Sequence, residues 1–206
     1  MSSTEGRRVR KVQRSREAMA CAAVDLVLEK GLDQVTVEAI SERVDVSRRT
    51  FTRYFSGKED AVVDALRADF ARINAALDAR PAEENPLTAY HRALRDWLDH
   101  DPGAWHRVTR SGELLRLLHQ EPALESAFGQ VRDEAQDASV RIVARRLDLD
   151  PEHDLRPALA VSLAVGAFST AVRFWIAPEA STALPQLIDA AFAALAAEPA
   201  PSVTRE

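Results

Sequence analysis

Arg48, Arg49 and Arg53 stand within six residues of one another, with Tyr54 directly after them, in the segment DVSRRTFTRYF at 45–55. A guanidinium presents parallel donors that match guanine O6 and N7 or a phosphate, and tyrosine joins an apolar ring to a hydroxyl donor. The chemistry on offer is recognition of a polyanion rather than bond making. Residue types that do covalent or metal chemistry are present without the spacing to use it. Cys21 is the single cysteine, and His91, His100, His106, His119 and His153 show no i, i+4 pairing and no neighbouring cysteine, so no metal site is expected. SGKED at 56–60 has Gly-Lys without the upstream glycine or following Ser/Thr of a phosphate-binding loop, and no Gly-x-Ser-x-Gly elbow occurs. No catalytic residue and no cofactor are expected.

The cationic cluster sits in a chain of 206 residues with a formal charge of -5. Residues 1–60 carry 12 Lys+Arg against 10 Asp+Glu, whereas 61–206 carry 15 against 22. Six basic residues face one acid, Glu5, within the first 16. A polyanion would therefore meet the N-terminal end, with the acidic remainder discouraging non-specific wrapping. A solvated basic tail is the plainer reading of the same charges.

Helices must position these residues. Gly is scarce, Pro falls mostly between apolar runs, and no strand-like alternation occurs, so the chain is expected to be all-α. Met19, Ala22, Ala23, Leu26 and Val27 form a helical stripe ending before Gly31. Thr36 is an N-cap for VEAISERV, and Ser47 is a second N-cap, opening RRTFTRYF. Phe51 and Phe55, four apart, share one face and are expected in the core. Two short helices joined by a tight turn form a helix-turn-helix, whose second helix can enter a DNA major groove. Asp45 takes the turn position where glycine is usual, which Asp tolerates because it visits left-handed geometry more readily than most residues.

Further helices are expected from Lys58 to about Ala79, over LTAYHRALRDWLDH, over WHRVTRSGELLRLLHQ with an interruption at Ser111-Gly112, and from Pro122 to Leu147. Two apolar helices, about Leu155–Ile176 and Leu184–Ala197, close the chain. The division read from this pattern is a basic flexible arm at 1–15, a DNA-binding domain at 16–60, a helical ligand-binding and dimerisation domain at 61–198, and a tail at 199–206. The N-terminus lacks the apolar core of a secretory signal, Cys21 has no disulfide partner, and ALAVSLAVGAFSTAV spans 15 residues, too few to cross a bilayer. A cytoplasmic protein with no membrane partner is expected.

The stretch AAVDLVLEKGLDQVTVEAISERVDVSRRTFTRYFSGKEDAVVDAL resembles the DNA-binding domain of the TetR family of bacterial transcriptional regulators, over roughly residues 16–66. The remaining 140 residues or so match that family in helix pattern alone. The resemblance implies a homodimer paired through its last two helices, middle helices that enclose a small-molecule effector, and a fourth helix that moves on ligand binding to separate the two reading heads. RTFTRYFSGKEDAV looks closest to an actinobacterial-style subgroup, some members of which respond to acyl-CoA or similar lipidic ligands. The DNA-reading motif does not determine the pocket.

Candidate DNA contacts are Arg48 and Arg49, where adjacent cations at a helix start call for an anionic partner, together with Ser47, Thr50, Thr52 and Arg53 along the same surface. By resemblance, Tyr54 and Lys58 take phosphate-contacting positions, and Thr36 joins a phosphate contact to its capping role. Pocket candidates, each also an ordinary core position, are Phe70, Ile73, Leu77, Trp97, Trp105 and Arg110. Leu114, Leu118, Phe128, Phe168, Val172 and Trp175 complete that set. The small residues Ala164, Gly166, Ala167, Ser169 and Ala171, with LIDAAFAALAA, make a plausible dimer face. The reading is a repressor that binds a palindromic double-stranded operator and is released by a small apolar or amphipathic effector. An activator, a ligand-independent regulator and a helical protein-interaction module remain the alternatives.

Overall fold

The computed structural model describes residues 2–108 and 110–197, with side chains from residue 12 onward. The tail at 199–206 and the side chains of the first basic residues lie outside it. Among the described residues there are nine α-helices and no strand: α1 (Ser2–Lys30), α2 (Val37–Arg43), α3 (Arg48–Phe51), α4 (Lys58–Asp78), α5 (Pro86–His100), α6 (Ser111–Gln120), α7 (Pro122–Leu147), α8 (Arg156–Trp175) and α9 (Leu184–Ala196). Short 3-10 turns occupy Leu32–Gln34 and Trp105–Arg107. The all-α expectation holds.

The chain clusters into two compact units. One contains residues up to Asp69 and Glu113–Arg132; the other contains Phe70–Gly112 and the chain from Asp133 on. In the first, Met19, Ala23, Leu26 and Val27 of α1 are buried with Ile40 of α2 and with Phe51 and Phe55, whose ring centroids are 5.2 Å apart. That apolar stripe holds α1 against α2, and α2 against α3. Arg16 adds a polar tie, donating from Nε and Nη2 to both carboxylate oxygens of Asp64 on α4.

In the second unit, α8 packs along α9, and α5 packs against both. Val161, Ala164, Phe168 and Ala171 of α8, Leu184, Ile188 and Phe192 of α9, and Leu94, Trp97 and Leu98 of α5 are buried. A buried polar group completes it: Ser139 donates to Asn74 Oδ1 at 2.6 Å, and Asn74 Nδ2 donates to the Ala135 carbonyl at 3.0 Å.

Three expectations are corrected. The first helix does not begin at Arg16 after an arm but at Ser2. The segment holds no proline and is rich in Arg, Lys, Gln and Glu, good helix formers, and Gln13 donates to Glu17 one turn later. Ser111-Gly112 starts α6 rather than interrupting a longer helix, because residues 105–107 form a separate 3-10 turn. Finally, α8 spans 20 residues with a mean hydropathy of 1.5 over its most apolar stretch, so it is long and apolar enough to cross a membrane by composition. Core helices pass the same test, and α8 buries Val161, Ala164, Phe168 and Ala171 within the chain.

Candidate nucleic-acid interface

Two hydroxyl caps set the geometry of the reading surface. Thr36 Oγ1 accepts from the Ala39 N–H at 3.1 Å, and Ser47 Oγ accepts from the Thr50 N–H at 3.1 Å, each satisfying a donor that a helix start leaves without a partner. Between them the chain turns through Asp45 with φ 52, the left-handed conformation expected of it. Val46 N–H then donates to the Ser41 carbonyl at 3.0 Å, which fixes the angle at which α3 leaves α2. Although α3 is only one turn long, Thr52 N–H to Arg48 O at 2.9 Å and Phe55 N–H to Phe51 O at 3.0 Å continue its coil toward Phe55. Burial of Phe51 and Phe55 forces the residues between and before them outward.

Ser47, Arg49, Thr50, Thr52 and Arg53 line one shallow groove on that outer surface. Among the described residues nothing pairs with the guanidinium of Arg49, so its donors stay available. The other candidates already hold partners within the chain. Arg48 Nη1 lies 2.9 Å from Glu38 Oε1 on α2, both side chains well exposed. Arg53 lies with its guanidinium carbon 4.8 Å from the Tyr54 ring centroid and donates to the Tyr54 hydroxyl at 2.8 Å. That bond uses a lone pair of the phenol and leaves its own O–H free to donate. Thr52 Oγ1 donates back to the Arg49 carbonyl at 3.3 Å.

Lys58 departs furthest from the expected role. Its ammonium donates to the carbonyls of Leu32 at 2.7 Å and Val35 at 3.0 Å, binding the start of α4 to the turn before α2. These carbonyls follow Gly31, whose φ of 82 ends α1 and turns the chain. The ammonium therefore spends two of its three donors on the fold.

Of the pocket candidates, the structure gathers Phe70, Trp97, Trp105 and Phe168. Trp105 stacks on Phe168 with centroids 5.5 Å apart, while Trp97 meets Trp105 edge-on at 5.4 Å and Phe168 at 6.4 Å. Phe70 meets Trp105 edge-on at 6.0 Å. Trp97 Nε1 is buried without an acceptor, and an unmade bond of this kind costs about 1–3 kcal/mol. Ile73, Leu77 and Val172 are buried on α4 and α8, and Trp175 is half-buried where α8 ends. Leu114 and Leu118 are buried on α6, Phe128 is half-buried on α7, and Arg110 lies in the turn before α6.

The expected dimer face needs a correction of its own. Ala164, Ala167 and Ala171 are buried within the chain, and only Gly166 of that set is exposed. The outward face of α8 instead carries Leu159 and Leu163, exposed by 54% and 43%, in register with Leu155, exposed by 69% just before it. On α9 the exposed residues are Gln186, Asp189, Ala190, Ala193, Ala194, Leu195 and Ala196. Three of the five small residues thus face the chain's own core, and the outward side of α8 carries leucines.

Sequence reasoning missed Glu38 as a partner of Arg48, although both were visible as charges near adjacent helix starts. It also missed the Arg16–Asp64 tie, for which a separation of 48 residues leaves no local signal.

Residues 21–65 match the family model described as bacterial regulatory proteins, tetR family, and residues 84–200 match the one described as the MftR C-terminal domain. The HTH-type transcriptional regulator TcmR of Streptomyces glaucescens is 33% identical over 178 residues, covering 82% of this chain and 76% of that protein. Among solved structures, FadR of Thermus thermophilus in complex with lauroyl-CoA aligns with a TM-score of 0.56 at 20% identity, over 92% of this chain and 100% of that one. FadR of Bacillus halodurans aligns at 0.55 and 18% identity, over 87% and 93%. At such identities the two structures share the fold. Sequence similarity thus continues well past residue 66, where helix pattern alone was expected.

Proposed function

The chain belongs to the TetR family of bacterial transcriptional regulators and is a DNA-binding protein; from that premise we propose that it is a cytoplasmic repressor, active as a homodimer on a palindromic operator and released by a small molecule. The observation that carries this reading is the groove along α3, where the unpaired guanidinium of Arg49 stands beside Thr50, Thr52 and Arg53. Arg49 reads a base edge, Thr50 and Thr52 pack beside it, and Tyr54 donates its free hydroxyl hydrogen to a phosphate while Arg53 braces the ring. Thr36 and Ser47 contribute mainly by holding the two helices at their starts.

The second copy covers the exposed leucines of α8 and the exposed alanines of α9 with the same surface, about a twofold axis. The effector is apolar or amphipathic. Trp97, Trp105 and Phe168 offer it aromatic faces, and Trp97 Nε1 offers a donor that the protein itself leaves unused. Native mass spectrometry of the purified protein, followed by titration of any co-purifying molecule into the protein–operator complex, tests this reading. Release of operator at stoichiometric ligand supports it; an operator complex indifferent to every bound molecule and to acyl-CoA removes the effector.

A further inference from the structure

We propose that Glu38 is a specificity-determining residue of the reading surface: it holds the Arg48 guanidinium back from sequence-independent phosphate contacts while the guanidinium's remaining donors face a base edge. The inference rests on the reading of α3 as the DNA-recognition helix. Its geometric basis is the 2.9 Å contact between Arg48 Nη1 and Glu38 Oε1, which joins the first turn of α2 to the first turn of α3.

The fold does not need this pair. Side-chain exposures of 71% for Arg48 and 52% for Glu38 leave both ends in water, and such a pair changes an equilibrium by less than about five-fold. Nor does Glu38 serve as the cap of α2, since Thr36 already accepts from the Ala39 N–H. A carboxylate on a surface that meets phosphates is unfavourable in itself, so its position beside one arginine of an adjacent pair is informative. Arg49 is left available, whereas Arg48 is neutralised in place.

The two destinations of Arg48 differ in strength. A bidentate contact to guanine discriminates by roughly 5- to 150-fold, and Arg48 can make it from Nε and Nη2 while Nη1 stays on Glu38. A single phosphate contact acts chiefly by releasing about one counterion, a gain comparable to the pair it must break. On arbitrary sequence, therefore, the ion pair persists and Arg48 contributes little. On the operator it persists too, with the remaining donors of Arg48 turned to the base edge.

The test uses the full chain, an operator obtained by selection from random duplexes, and a random-sequence duplex of the same length. Both are titrated over a range of salt with wild type, Glu38→Gln, Glu42→Gln as a nearby exposed acid, and Arg48→Ala with and without Glu38→Gln. Glu38→Gln is expected to bind the random duplex roughly two- to five-fold tighter, with a log–log salt slope steeper by about one. Operator affinity changes less than about two-fold, so the specificity ratio falls. Glu42→Gln shifts both duplexes by one factor, and Glu38→Gln does no more than that once Arg48 is Ala. Equal shifts for both duplexes with Glu38→Gln, or a preferential gain on the random duplex that survives Arg48→Ala, overturn the proposal. Failure of wild type to prefer any duplex overturns the recognition-helix reading instead.

Discussion

Arg16 grips Asp64 with two parallel hydrogen bonds, Nε to Oδ2 at 2.9 Å and Nη2 to Oδ1 at 2.7 Å, fastening α1 to the first half of α4. Asp64 is only 9% exposed, and the bond to its carboxylate raises the guanidinium pKa further. Arg67, one turn along α4, reaches the same carboxylate at 3.3 Å. Because Arg16 itself is about one-third exposed, solvent weakens the pair below a fully buried one. Replacing Arg16 by Ala is expected to cost about 1–2 kcal/mol, read as a lower urea midpoint with an unchanged slope.

Lys58 separates two roles that affinity alone would confuse. As a clamp on the Leu32 and Val35 carbonyls, Lys58→Met lowers stability by about 1–2 kcal/mol and leaves the salt dependence of operator binding unaltered. A phosphate contact would do the reverse, reducing the salt slope by about one with no loss of stability. Urea unfolding and salt titration of the same variant distinguish them.

Leu159 and Leu163 lie on the outward side of α8. Under the proposed twofold pairing, Leu159→Glu or Leu163→Glu places two carboxylates near the axis and yields folded monomers. Light scattering should show the mass of a single chain, circular dichroism should remain helical, and operator affinity should fall with the loss of the second half-site contact. A variant that keeps the mass of two chains moves the interface elsewhere.

Glu84 gives the pH dependence a definite sign. Hydrogen bonds from Arg80 and then Arg92 hold its carboxyl at about 2, against the usual 4.5. Between those values the unfolded chain binds more protons than the folded one, so stability rises with pH across that window. The contribution is fully present above about pH 5 and fades as the pH falls toward 2. The difference in urea midpoint between wild type and Glu84→Gln is thus expected to be constant above that window and to shrink below it.

What could be read from the chain was what its local chemistry decides. Thr36 and Ser47 cap helices because a hydroxyl three residues before a free N–H does so in any context. Phe51 and Phe55 are buried together because four residues make one turn, and Asp45 stands at positive φ because the turn demands it. Contacts set by tertiary packing were not legible. The stacking of Trp105 on Phe168 depends on how α8 rotates, and an apolar helix carries no marker of that rotation. Lys58 looked like a phosphate ligand because its position matched one; only the carbonyls of a turn 23 and 26 residues earlier reveal its other partners. Glu38 was legible as a helix-start acid but not as the partner of Arg48, since that depends on the crossing of two helices.

Selection from a random duplex pool, followed by titration of every single-base variant of the selected site with wild type and Arg49→Ala, addresses the central claim most directly. The account predicts a palindrome whose half-sites lie about one helical turn, or a multiple of it, apart. It further predicts that Arg49→Ala loses about 1–3 kcal/mol of preference at one base pair in each half-site while ranking the other positions as before. An unselected pool, or a loss uniform over all variants, would contradict it.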